Sequence, residues 1–199
     1  MNQKPYVLGL TGSIGMGKTT TARMFAAAGI SVWDADATVH ELYQAGGAAT
    51  RQIEKLVPGS VTESGVDRAV LKAAIADDKT ILQKLEVIVA PLVANSRDAF
   101  ITASQSDIVI IDHPLLFESG TAQICDGVLV VTTSADEQRR RVLDRGTMTA
   151  EMFETILAKQ MPDSEKRARA DFIVETTTLA DAESAVHSVI AEIRGHLNA

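Results

Sequence analysis

The dozen residues 9–20, GLTGSIGMGKTT, place four glycines and one lysine directly after an apolar run. Glycine weakens regular structure, so this concentration marks a place where something must come close to the main chain. Gly12, Gly17, Lys18 and Thr19 fit G-x-x-x-x-G-K-[ST], with strand character before and helical character after, the context the motif requires. Such a loop turns backbone N–H groups inward as donors to a phosphate chain. The helix starting near Lys18 adds the positive end of its dipole. Gly12, Ser13, Ile14, Gly15, Met16, Gly17, Lys18, Thr19 and Thr20 are therefore expected to bind a nucleoside triphosphate. Lys18 should reach the β- and γ-phosphates, and the Thr19 hydroxyl should take a Mg²⁺ position.

Two acidic positions fall where ligands gather in open parallel sheets, at the carboxyl ends of strands. WDADATVHEL puts Asp34 and Asp36 after the second strand. In extended chain an i, i+2 pair faces one way, so both can look into a cleft, and either can instead cap the next helix. Asp36 is taken as the carboxylate that orients an acceptor hydroxyl and receives its proton, although the spacing alone does not choose between the two. IVIIDHPLLFE ends a third strand with Asp112, the usual place for a carboxylate on the magnesium side. Leu116 and Phe117, with Pro114 and Leu115, read as the floor of a substrate pocket and Glu118 as its polar rim. His113 is given no chemistry.

These residues need a frame. YVLGLT (6–11) and ISVWDA (30–35) read as strands around a helix from Lys18 to Ala28, a strand–helix–strand unit that implies a parallel sheet. DIVIID (107–112), GVLVVTT (127–133) and, more weakly, DFIVETT (171–177) supply three more strands. Their continuous β-branched runs suit a sheet covered on both faces. Residues 37–106 carry a helical pattern with a break or kink expected at Pro91, and form an insertion between the second and third strands. Residues 146–169 are charged and helical. The last helix presents Val186, Val189, Ile190, Ile193 and Leu197 on one face, a stripe that should pack on the sheet. His187 and His196 lie off it.

At 199 residues, with 46% hydrophobic and 23% charged residues, the chain fits one globular domain with insertions. Its single cysteine, Cys125, permits no internal disulfide. No apolar stretch approaches the length of a membrane span or a signal peptide, so a cytoplasmic protein is expected. A net charge of −7 argues against a nucleic-acid binder. Within that acidic chain, RRRVLDR (139–145) and KRAR (166–169) are local basic clusters, which serve either as solvated helix faces or as a small-anion site. No N-K-x-D occurs, which removes the guanine signature of a GTPase switch.

Taken together, GLTGSIGMGKTT, DAD, VDRAVL, PLLFE, Arg145, QMP (160–162) and EKRARAD (165–171), in this order, resemble the dephospho-coenzyme A kinases. The likeness runs from residue 7 to about residue 175. It implies a P-loop NTPase-type, three-layer α/β/α fold with a five-stranded parallel sheet. The core would comprise residues 1–36, 107–145 and 170–199, with a helical acceptor-binding insertion at 37–106 and a small lid at 146–169. It also implies that Asp36 is the base facing the ribose 3′-hydroxyl of dephospho-CoA, and that Arg145 reaches the transferring phosphates from the lid. ATP and dephospho-CoA would be its partners, Mg²⁺ its metal, with no nucleic acid, membrane or obligate protein partner. Four positions depart from the family pattern. Ser13 stands for a third glycine, Ala90 for a histidine before Pro91, Trp33 for a smaller apolar residue, and Thr176 for an asparagine near the last strand. The last of these withholds any assignment of adenine contacts. Another metabolite kinase of the same fold, acting on a nucleoside monophosphate or shikimate, is the alternative. A protein that only binds ATP is a further one.

Overall fold

The structure is a computed structural model and describes residues 4–198. Its elements run β1 (Tyr6–Thr11), α1 (Lys18–Ala27), β2 (Ser31–Asp34), α2 (Ala35–Tyr43), α3 (Thr50–Leu56), β3 (Val61–Thr62), β4 (Gly65–Val66), α4 (Arg68–Asp77) and α5 (Thr80–Ala103). There follow β5 (Ile108–Asp112), a 3₁₀ turn (Thr121–Ile124), β6 (Gly127–Thr132), α6 (Ala135–Asp144), α7 (Ala150–Leu157), α8 (Asp163–Ala168), β7 (Phe172–Glu175) and α9 (Leu179–Leu197). The chain divides into two compact units, Met1–Trp33 with Ala103–Ala199, and Asp34–Thr102.

The first unit is built on a five-stranded parallel sheet of order β2-β5-β1-β6-β7, flanked by helices. From β1 the chain goes first to one side of the sheet, to β2 and β5, and later to the other, to β6 and β7. A reversal of this kind opens a crevice at the carboxyl end of the strand where it happens, and the glycine-rich loop leaves β1 there. Alternate residues of the central strands serve opposite faces. Leu8, Leu10, Leu129 and Val131 pack with Phe25 of α1 and with Val186, Ile190 and Ile193 of α9, while Val128 and Val130 pack with Leu116 on the other face. The α9 stripe is buried as its spacing predicts, except that Leu197 is 37% exposed at the helix end. Trp33 is buried, and His187 and His196 are exposed.

The second unit has its own core of Ala49, Ile53, Val57, Leu71 and Leu85. It also holds a two-residue antiparallel hairpin, β3–β4, too short to register in sequence periodicity. Asp67 caps α4 by accepting from the Ala69 and Val70 N–H groups. Of the break or kink expected at Pro91, there is no break, since α5 runs through it. The carbonyl that Pro91 cannot serve belongs to Val87, a residue 77% exposed. The division falls at Asp34 and Thr102 rather than at 37 and 106, because the residue that caps α2 packs with its helix. Among the described residues, no helix is long and apolar enough to cross a membrane.

Candidate active site

The loop from Gly12 to Gly17 connects β1 to α1. A Cβ on Gly12 would sit 2.7 Å from the Val131 carbonyl oxygen, so this glycine is required by the neighbouring strand as well as by any ligand. Gly17 is the N-cap of α1 with φ 98°, a left-handed conformation that side chains resist. It leaves the first turn of α1, with Lys18 half-buried and Thr19 and Thr20 exposed. Lys18 Nζ lies 2.5 Å from Asp112 Oδ1, with the lysine side chain 15% and the aspartate side chain 3% exposed. The structure thus brings together the loop lysine and the strand-end carboxylate named from sequence. A pair this secluded depends on both partners, since removing one strands the other's charge.

Thr176, just beyond β7, backs the loop. Its hydroxyl lies 2.8 Å from the Met16 carbonyl and accepts from Arg141 Nη1 at 2.8 Å. Arg141 Nη2 also donates to the Thr176 carbonyl at 2.5 Å, and Arg141 Nε to Glu137 at 2.6 Å. Hydrogen bonds from Arg140 and Arg141 hold the Glu137 carboxyl down at about 2. Beside this network lies a cleft of about 270 Å³ lined by Gly17, Thr20, Arg141, Arg145, Thr176 and Leu179, among others. Arg145 caps the end of α6 and reaches this cleft.

The remainder of the basic clusters is mostly solvated helix face. Arg140 pairs with Glu137 and Asp144, Arg139 with Glu154, and Arg167 with Asp163. Lys166 is different, being fully buried. Its ammonium meets Glu118 at 3.0 Å and the Pro114 carbonyl at 3.3 Å. Burial pushes the Glu118 carboxyl up, but bonds from the Met161 N–H and Lys166 outweigh it and leave the group below its usual range.

The two candidate pocket residues, Leu116 and Phe117, differ in burial. Leu116, expected in the substrate floor, is wholly buried against Val128 and Val130. Gly9 makes room for it, since a Cβ there would fall 2.7 Å from Leu116 Cδ2. Leu116 therefore supports the turn from below, while Phe117 is only partly buried beside it. In the second unit, Asp34 caps α2, accepting from the Asp36 N–H at 2.8 Å and the Ala37 N–H at 3.0 Å. Asp36 is exposed in the first turn of α2, not in extended chain, so the shared facing expected of an i, i+2 pair does not arise.

Sequence reasoning did not assign Arg141, Lys166, Gln138 or Gln160, all of which touch the loop, its backing or the turn beside it. Gln160 lay inside QMP, the only signal available for it, and Lys166 inside EKRARAD and the basic cluster KRAR. Arg141 lay in the basic cluster 139–145, read either as a solvated helix face or as a small-anion site, and Gln138 just before it carried no signal.

The dephospho-CoA kinase family model matches residues 6–181. A dephospho-CoA kinase of Jannaschia sp. is 53% identical over 189 residues, covering 94% of this chain and 97% of the relative. A dephospho-CoA kinase from Cereibacter sphaeroides is 52% identical over 191 residues, covering 96% and 97%. A solved structure from Thermus thermophilus superposes with TM-score 0.83 at 32% identity, over 96% of this chain and 98% of that one. Loop, sheet order and full-length similarity agree, and the chain belongs to the dephospho-CoA kinase family.

Proposed function

We propose that this chain transfers the γ-phosphoryl group of ATP to the ribose 3′-hydroxyl of dephospho-CoA, giving coenzyme A and ADP. The observation that carries the reading is the Lys18–Asp112 contact at the mouth of a glycine-rich loop, in a chain of this family. A bound triphosphate offers the Lys18 ammonium a second anionic partner beside Asp112. The loop N–H groups and the start of α1 share the remaining phosphate charge. The base of ATP is assigned to the 270 Å³ cleft. There the Arg141 guanidinium, fixed by Glu137 and Thr176, can lay its flat face on a purine ring.

Asp36 is assigned to the acceptor. It orients the 3′-hydroxyl and takes its proton as the new O–P bond forms and the bond from the γ-phosphorus to the bridging oxygen breaks, with ADP leaving. Arg145 stabilises the charge on the transferring group. Mg²⁺ suits the donor chemistry of a Thr19 hydroxyl in the first turn of α1 and an Asp112 carboxylate at the end of β5, both hard oxygen ligands. Magnesium takes one or two protein oxygens and completes its shell with phosphates and water. Thr19 and Asp112 would hold it, and it would neutralise charge on the phosphate oxygens.

The test is mass spectrometry of reactions with Mg-ATP and dephospho-CoA, AMP, dTMP or shikimate. Dephospho-CoA alone should gain one phosphoryl group, at the 3′ position. A product from another acceptor, or none from dephospho-CoA, overturns the reading.

A further inference from the structure

Both backbone polar groups of Ile14, in the middle of the phosphate loop, are held by glutamine side chains from distant parts of the chain. The Ile14 N–H donates to Gln160 Oε1 at 3.1 Å, and the Ile14 carbonyl accepts from Gln138 Nε2 at 2.7 Å. The polarity of each amide is forced, because a backbone N–H can only donate and a carbonyl can only accept. Gln138 lies on α6 and is 4% exposed. Gln160 lies in the turn after α7, where its own N–H bonds the Leu157 carbonyl. The next residue is fixed too, the Met161 N–H donating to the Glu118 carboxylate that Lys166 holds. The segment between the two glutamines contains Arg145, α7 and the first part of the expected lid, residues 146–159. Its two roots therefore grip one residue of the loop.

We propose that Gln160 is a positioning residue that sets the phosphate loop through its side-chain oxygen and ties the loop's shape to the placement of the segment carrying Arg145. The proposal rests on the phosphoryl-transfer reading for its kinetic consequence, not for the contact itself. Gln160 needs only an acceptor, so glutamate can replace it and methionine, of similar length, cannot. Gln138 needs a donor, so glutamate there would set a carboxylate against the Ile14 carbonyl.

The experiment compares the wild type, Gln160→Glu, Gln160→Met and Gln138→Glu by two readouts. The first is amide exchange of a peptide containing Ile14, which requires no acceptor substrate. The second is kcat at saturating Mg-ATP and dephospho-CoA, chosen over KM because an added carboxylate can weaken ATP binding by charge alone. Gln160→Met should speed Ile14 exchange and lower kcat by about 3- to 10-fold, the worth of one hydrogen bond. Gln160→Glu should keep exchange slow and kcat within about 3-fold of wild type. Gln138→Glu should behave like Gln160→Met. Unchanged exchange and kcat in Gln160→Met overturn the proposal, and so does equal damage from Gln160→Glu and Gln160→Met. Should wild type leave dephospho-CoA untouched, the function assignment falls while the exchange pattern still decides the role of Gln160. Gln160→Ala replaces Gln160→Met in both readouts if the latter does not fold.

Discussion

A carboxylate's work depends on where it stands at the start of a helix. Asp34 takes the N-cap of α2 and spends an oxygen on two backbone N–H groups. Asp34→Ala should therefore cost about 0.5–2 kcal/mol of stability, read as a shift in the denaturation midpoint. Asp36, two residues on, is exposed in the first turn of α2 and is not its cap, as the role proposed for it at the acceptor hydroxyl requires. Asp36→Asn should keep ATP affinity within about 2-fold and lower kcat by roughly 10²–10⁴, measured by titration calorimetry and initial rates. Normal turnover would move the base elsewhere. Arg145 belongs to the same test. If it meets charge that develops only during transfer, Arg145→Ala lowers kcat far more than it raises the KM for dephospho-CoA. A change confined to KM would make it a binding residue.

At the scale of elements, α6 joins the site to pH. Glu137 sits in its first turn, and its carboxyl, held at about 2 by Arg140 and Arg141, braces the arginine that contacts Thr176. A carboxyl lowered on folding adds stability above its unfolded pKa and loses it as pH falls through the folded value. The stability difference between wild type and Glu137→Gln should stay flat from pH 8 to about 5 and shrink as pH drops toward about 2. Denaturant melts at each pH measure it, and a difference that shrinks near neutrality instead would detach Glu137 from this role. The strands around the site were legible because continuous β-branched runs such as VIID and VLVV have few other uses in a soluble chain. The loop was legible because its glycines and lysine are local in sequence. Gln138, Gln160, Thr176 and Lys166 were not, since each acts through a partner more than 30 residues away, and periodicity carries no record of such pairing. The packing of Leu116 against Gly9 was equally illegible, because a hydrophobic turn residue looks the same in sequence whether it faces a ligand or the core.

Across the whole molecule the two units have separate cores, so each ligand can be asked which unit it steadies. The phosphate loop, Lys18, Asp112 and the cleft all belong to the unit built on the five-stranded sheet, whereas Asp36 belongs to residues 34–102. A ligand that binds only folded protein stabilises it by about 2.7 kcal/mol at a hundred times its dissociation constant. For a chain near 200 residues that corresponds to a rise in Tm of roughly 5–10 °C. ATP should produce such a rise and Lys18→Ala should abolish most of it. Amide exchange then localises the effect. ATP alone should slow peptides covering 12–20 and 176–179, while dephospho-CoA should slow peptides within 34–102. If dephospho-CoA leaves every peptide of 34–102 unchanged while remaining a substrate, acceptor binding belongs to the sheet unit, and the helical insertion loses the role given to it.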